Sequence, residues 1–227
     1  MKFVNLHTHI ILEKGQKGLI NHPLQNPFSP EKGQYYSVGI HPWSIGEIKD
    51  SGWVLRLKEM CCHPQILAIG ECGLDRSVKI SIDIQKKFFI SQLQIAEEKQ
   101  MPVILHAVHT YSDLLGISKK RSPSVPWILH GYTGNAETTK QLLHHNFYFS
   151  FGESLLKNKT KLNNSLLEIP FKKMFFETDE SSVPIECIYK FASNLLNKSV
   201  EELMEIVLNN FNCMFAKNSE NSEMNKN

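Results

Sequence analysis

ILAIGECGLDRSVKISIDIQKKFFISQLQIAEEKQMPVILH, residues 66–106, is the stretch whose reading decides the fold. Its first run, 66–70, is short, apolar and β-rich, and it ends on Glu71. A longer stretch over 83–100 follows, in which Phe88, Leu93, Ile95 and Ala96 recur at helical spacing and Ser81 or Asp83 offers an N-cap. A second apolar run, 103–106, then ends on His106. Strand, helix and strand in this order make a βα unit and the start of the next, the pattern of a parallel sheet.

The same alternation extends in both directions. Strands are expected at 3–7, 35–40, 127–130, 147–151 and 174–177, and helices near 50–62, 110–118, 136–145, 185–197 and 199–214. With the two strands of the opening stretch, seven are legible. After Asp179 the chain turns through ESSVP and becomes helical, so an eighth strand is expected to be weak or missing. The Gly-, Pro- and Asn-rich stretch 12–34 reads as a loop, and the tail NSENSEMNKN, with almost no apolar content, as disordered. The expectation is an α/β fold: a distorted TIM-like (β/α)8 barrel as one unit over 1–215, with a disordered tail over 216–227.

The apolar runs share an ending. His7 and His9 close VNLHTH, Glu71 closes ILAIGE, His106 closes PVILH, His130 closes PWILH and Asp179 closes MFFETD. The C-terminal ends of parallel strands are where such barrels assemble their active sites. Side chains alternate along a strand, so Asn5, His7 and His9 share a face and the HxH pair can chelate one ion from one strand. His, carboxylate and His together suit Zn, Mn or Mg in hydrolysis. Six ligands exceed the needs of one tetrahedral ion and a carboxylate such as Glu71 can bridge, so two divalent ions are the economical expectation. Asp179 can hold an ion and accept the nucleophile's proton. His22, His63, His144 and His145 lack strand-end context and are read as structural or surface residues.

Composition sets bounds. The chain has 227 residues, 41% of them hydrophobic, which is ample for one sizeable core. Its 25 Lys+Arg against 23 Asp+Glu leave a formal charge of +2, too small to argue for nucleic-acid binding alone. No apolar run is long enough to span a membrane. MKFVNLHTH runs straight into the first motif without a leader pattern. The five cysteines form no CxxC pair, so a cytoplasmic protein with reduced thiols and no membrane partner is expected.

NLHTH, GIHPW, AIGECGLDR, PVILHAVHTYSDLL, WILHGYTGN, SFGES and FFETD occur in that order across nearly the whole chain. This set resembles the TatD family of metal-dependent hydrolases, within the amidohydrolase-like TIM-barrel group. The resemblance implies a distorted barrel with a divalent-metal centre and, commonly, deoxyribonuclease activity. By position, it assigns His7 and His9 to the HxH ligands, Glu71 to the bridging carboxylate, His106 and His130 to the second-metal histidines and Asp179 to the late-strand aspartate. His41 of GIHP stands either near the scissile group or as a structural cap on its strand.

Departures from the pattern bear on the substrate. Members of the family commonly carry a basic residue shortly after the fourth-strand histidine, where this chain has AVHTY, with His109 the nearest candidate. The segment after ETD is short, and Glu180 stands where a neutral residue is common. Arg76 and Lys79, and Lys157, Lys159 and Lys161, follow other strands and can meet phosphates or be plain surface charges. Tyr132 can stack on a terminal base or pack into the rim.

The expected function is a deoxyribonuclease or phosphodiesterase acting on DNA ends or single strands through a hydroxide activated by two metals, with Asp179 and Glu71 catalytic and DNA a transient partner. A second reading is a metal-dependent ester or amide hydrolase of deacylase type, on a small or tRNA-linked substrate. A third is a non-catalytic accessory barrel.

Overall fold

The computed structural model of the chain describes residues 2–223. Eight strands run parallel in one sheet whose spatial order follows the sequence: β1 (Phe3–Thr8), β2 (Gln16–Pro23), β3 (Tyr36–Gly39), β4 (Ile66–Asp75), β5 (Val103–Val108), β6 (Trp127–Leu129), β7 (Phe147–Phe151) and β8 (Met174–Phe176). The helices are α1 (Trp53–Met60), α2 (Ile82–Lys99), α3 (Tyr111–Arg121), α4 (Ala136–His144), α5 (Thr160–Glu168), α6 (Ile185–Leu196) and α7 (Val200–Glu223). The architecture is a TIM-like (β/α)8 barrel, nearly closed.

All eight strands are present, and the one missing from the sequence expectation does not follow Asp179: the run 174–177, read as the seventh strand, forms the last one, where Met174, Phe175 and Phe176 pair with β7 and are fully buried. The strand that the sequence hides is β2, inside the stretch read as a loop. Only Gly18, Leu19 and Ile20 of its eight residues are buried, so it lacks the long apolar run of an interior strand. No helix announces it either. Parallel neighbours usually need a crossover of a dozen residues or more, yet β1 passes to β2 through 9–15 alone. The outer side of this helix-free corner is met by α7, where Lys17 Nζ bonds Asn212 Oδ1 at 2.7 Å and lies over the Phe211 ring. α5 is also additional to the sequence expectation.

Closure between β8 and β1 uses side chains as much as backbone. Thr8 and Asp179 form a single parallel bridge. Below it, Asn5 Nδ2 donates to Thr178 Oγ1 at 2.8 Å and Thr178 N donates to Asn5 Oδ1 at 2.9 Å. That seam carries His7 and Asp179 to the same rim.

β4 is buried along all ten residues, as expected of a strand covered on both faces. α2 clamps its end and that of β3 with two buried glutamines. Gln92 bonds both backbone groups of Ile40, at 2.7 and 3.1 Å, and Gln85 bonds both of Asp75, at 2.7 and 2.8 Å. One helix thereby fixes the segment before His41 and the one after Glu71.

α7 carries helical backbone to Glu223, into the 216–227 segment whose composition suggests disorder; residues 224–227 of that segment lie outside the described residues. No helix among the described residues is long and apolar enough to cross a membrane.

Candidate metal centre

Glu71 sits at the middle of the rim, 5% exposed, and its two oxygens face different histidines. Oε1 lies 2.6 Å from His130 Nε2, 2.8 Å from His106 Nδ1 and 3.2 Å from His41 Nε2. Oε2 lies 3.3 Å from His7 Nε2 and 3.8 Å from His9 Nε2. Asp179 faces the same pair, with Oδ1 3.5 Å from His7 Nε2 and 3.3 Å from His9 Nε2.

Local structure places each side chain. His7 lies on β1 next to a register shift between Asn5 and His7, and His9 lies one residue past the strand end. Gly73 lets β4 approach β5 here: its φ is +149°, and a Cβ would fall 2.0 Å from the His106 carbonyl oxygen. Asn21, on β2, accepts the Glu71 N–H through Oδ1 at 3.0 Å. The strand hidden from the sequence therefore supports the central carboxylate.

Two buried carboxylates stand behind the histidines, and the sequence reading passed over both. Asp75 Oδ2 lies 2.9 Å from His106 Nε2, while its Oδ1 accepts from Ser77 N at 2.7 Å. Glu177 Oε1 lies 3.3 Å from His130 Nδ1 and accepts the Gly131 N–H. A signal existed: Asp75 is four residues after Glu71 on one strand, and Glu177 is two before Asp179, so each shares a face with a residue already singled out. Carboxylates in such positions orient metal-binding imidazoles and raise their basicity.

The charges stabilise one another against burial. Burial opposes ionisation of Glu71, yet His130, His106 and His41 hold its carboxyl well below the usual range. Burial likewise opposes the His130 charge, but Glu71 and Glu177 raise it well above its ordinary value. His7 is raised to about 9: Asp179 and Glu71 outweigh burial and the repulsion of His130. Asp179 and Asp75 are both lowered despite burial, Asp179 by His7 and His9, Asp75 by Ser77, Trp43 and His106.

The donor set fits divalent cations. Three groups bring their ligand atoms within 4.8 Å of one another: His7, His9 and Asp179; His7, Glu71 and His130; His41, Glu71 and His106. Both ring nitrogens of His7 are buried without a hydrogen-bonded partner, an uncommon condition for buried imidazole. Cations bound by these side chains would displace the protons they carry.

Of the remaining sequence candidates, one joins the centre and the others fall elsewhere. His41 joins the cluster directly and accepts the Trp43 N–H on Nδ1 at 3.2 Å. Arg76 is committed to Asp113, 2.8 Å away, which Lys86 shares at 2.7 Å. His109 is exposed beyond β5 and lines neither of the two rim cavities described below. Tyr132 is fully buried against Phe149 and Phe151 with its hydroxyl 2.9 Å from Thr139 Oγ1, so its ring is not offered to the mouth. A cavity of about 230 Å³ opens over His41, Glu71, His106 and His130, with Asn21, Trp43 and Glu180 on its walls. A second, of about 440 Å³, adjoins it through Asp179 and Glu180 and has Lys157 on its wall.

Comparison with known proteins agrees with this geometry. The family model for TatD-related DNase matches residues 28–223. An uncharacterised metal-dependent hydrolase of Bacillus subtilis, YabD, is 35% identical over 150 residues, covering 64% of this chain and 58% of that protein. The 3′-5′ ssDNA/RNA exonuclease TatD of Escherichia coli is 28% identical over 147 residues, 63% of this chain and 56% of its own. The chain thus spans less than two thirds of the length of either relative. Among solved structures, the E. coli TatD homologue YjjV superposes with a TM-score of 0.82 at 18% identity, over 94% of this chain and 98% of that one, which is likeness of fold.

Proposed function

The chain belongs to the TatD-related DNase family of metal-dependent hydrolases, and from that premise we propose that it is a phosphodiesterase that shortens DNA from its ends. The observation that carries the reading is Glu71. One carboxylate divides its oxygens between His7 and His9 on one side and His41, His106 and His130 on the other, the arrangement of a bridge between two cations. His7, His9 and Asp179 would hold one ion, and His106 and His130 the other, with Glu71 common to both. Divalent ions in such a pair polarise a phosphoryl oxygen and acidify a water. Asp179, 41% exposed at its side chain and facing the cavity, is the carboxylate placed to take the proton of the attacking water. The names of the E. coli exonuclease and of a deoxyribonuclease of Schizosaccharomyces pombe, 32% identical over 119 residues, support a nucleic-acid substrate. The free cysteines suit a reducing, cytoplasmic setting.

End-labelled single-stranded DNA supplied with Mg, Mn or Zn tests the reading, with metal content measured on the same samples. Stepwise shortening by wild type and its loss in Asp179→Asn are expected. Bound metal with untouched DNA would overturn it in favour of the ester or amide reading, which one observation supports: none of the residues lining the metal cavity is Lys or Arg.

A further inference from the structure

We infer that Trp43 is the platform on which the substrate's terminal nucleobase stacks; this rests on the nuclease reading and assigns the residue that grips the ring. Trp43 is 60% exposed, whereas the other two tryptophans, Trp53 and Trp127, are buried at 7% and 2%. Exposed apolar side chains are common, and what sets Trp43 apart is that its indole lines the metal cavity itself. It is also held in place. Its Nε1–H donates to Asp75 Oδ2 at 2.7 Å, and its ring meets those of His41 and His106 at centroid distances of 4.9 and 6.0 Å.

This anchoring has two consequences. The only polar atom of the side chain is already bonded, so the surface left exposed is ring carbon, suited to another planar ring. The orientation is fixed before a ligand arrives, so stacking costs little side-chain freedom. Asp75 accepts from Trp43 and faces His106 through the same oxygen, which ties the platform to the histidine beside Glu71.

Charge leads to the same residue. The cavity wall holds Glu71, Asp179 and Glu180 but no Lys or Arg, so the protein's own side chains offer the substrate's phosphates no cation there. Apart from bound ions and Lys157 in the adjoining cavity, contacts at this wall are uncharged or acidic, and Trp43 is the large apolar one. Stacking of that kind tolerates any base and is lost on truncation to alanine. The base-stacking role expected of Tyr132 is closed to it by burial and open to Trp43.

The test is binding, not turnover. Equilibrium dialysis of radiolabelled dAMP and of deoxyribose 5-phosphate against the metal-reconstituted protein compares wild type, Trp43→Phe and Trp43→Ala. The expected result is about tenfold weaker dAMP binding in Trp43→Ala, near-wild-type binding in Trp43→Phe, and unchanged deoxyribose 5-phosphate binding in both. Metal content and thermal melting of each variant establish that the site is intact. Equal weakening for both ligands, undiminished dAMP binding in Trp43→Ala, or no dAMP binding by wild type would each overturn the inference. The nuclease reading fails separately: DNA left uncut by a protein whose dAMP binding depends on Trp43 removes the reaction and keeps the platform.

Discussion

The two oxygens of Glu71 face differently built surroundings. On the Oε1 side, His106 and His130 are each gripped from behind by a buried carboxylate, Asp75 and Glu177. On the Oε2 side, His7 has no hydrogen-bonded partner on either ring nitrogen, and His9 has only Glu180, 3.7 Å away and exposed, behind it. The first half is oriented by the protein itself. The second meets its carboxylates only at 3.3–3.8 Å. An ion entering the centre meets one half already in position and another that it must organise.

The largest effect should come from removing what the halves share. Glu71→Gln keeps the shape but withdraws the charge that faces five imidazoles. Loss of activity on the order of 10³-fold is expected, beyond the 10–100-fold typical of supporting residues, together with loss of metal from both halves. Elemental analysis after dialysis is the check. Retention of two ions per chain would show that the halves bind independently and that Glu71 is no bridge.

A smaller effect should separate the halves. Asp75→Asn and Glu177→Gln leave every proposed ligand in place and, among the histidines, loosen the backed pair. Metal affinity should weaken about 10–100-fold, confined to one of two steps in a calorimetric titration with Mn. His9→Asn should move the other step. Variants that shift both steps alike would mean that the difference between the sides has no energetic weight.

How much of this was legible in the sequence follows the same division. His7, His9, Glu71, His106, His130 and Asp179 announced themselves because each ends an apolar run, and strand ends gather at one rim in a parallel barrel. Asp75 did not, because it lies beyond the apolar run that identified β4, whose strand continues to it through Glu71, Cys72, Gly73 and Leu74. Glu177 was overshadowed by Asp179, two residues away on the same face. β2 was invisible for a different reason: it is held by pairing with β1 and β3, contacts at long range that leave no local period in Gln16–Pro23. Its Asn21 supports Glu71 all the same. Trp43 stood inside a motif that drew attention to its histidine, and only its combination of exposure and anchoring gives it a role.

The smallest effect concerns protons. His7 is raised from 6.5 to about 9 in the metal-free protein, because Asp179 and Glu71 outweigh the cost of burial. A folded-state value above the unfolded one adds stability that is complete below about 6.5 and is lost as pH rises through about 9. Metal-free protein should therefore melt lower at pH 9.5 than at pH 7, by about 2–4 °C for each kcal/mol lost in a chain of this size. His130 is raised as well and contributes in the same direction, so wild type alone does not apportion the effect. Asp179→Asn does, since Asp179 Oδ1 faces His7 and His9 and none of the backed histidines. In that variant the fall in melting temperature should shrink, and the remainder belongs to His130 and to the part of the His7 shift that Glu71 supplies. Ions displace these protons, so metal affinity should climb across the same window in wild type and less steeply in the variant. An unchanged slope in Asp179→Asn would place the proton elsewhere and remove the main electrostatic distinction between the two sides of Glu71.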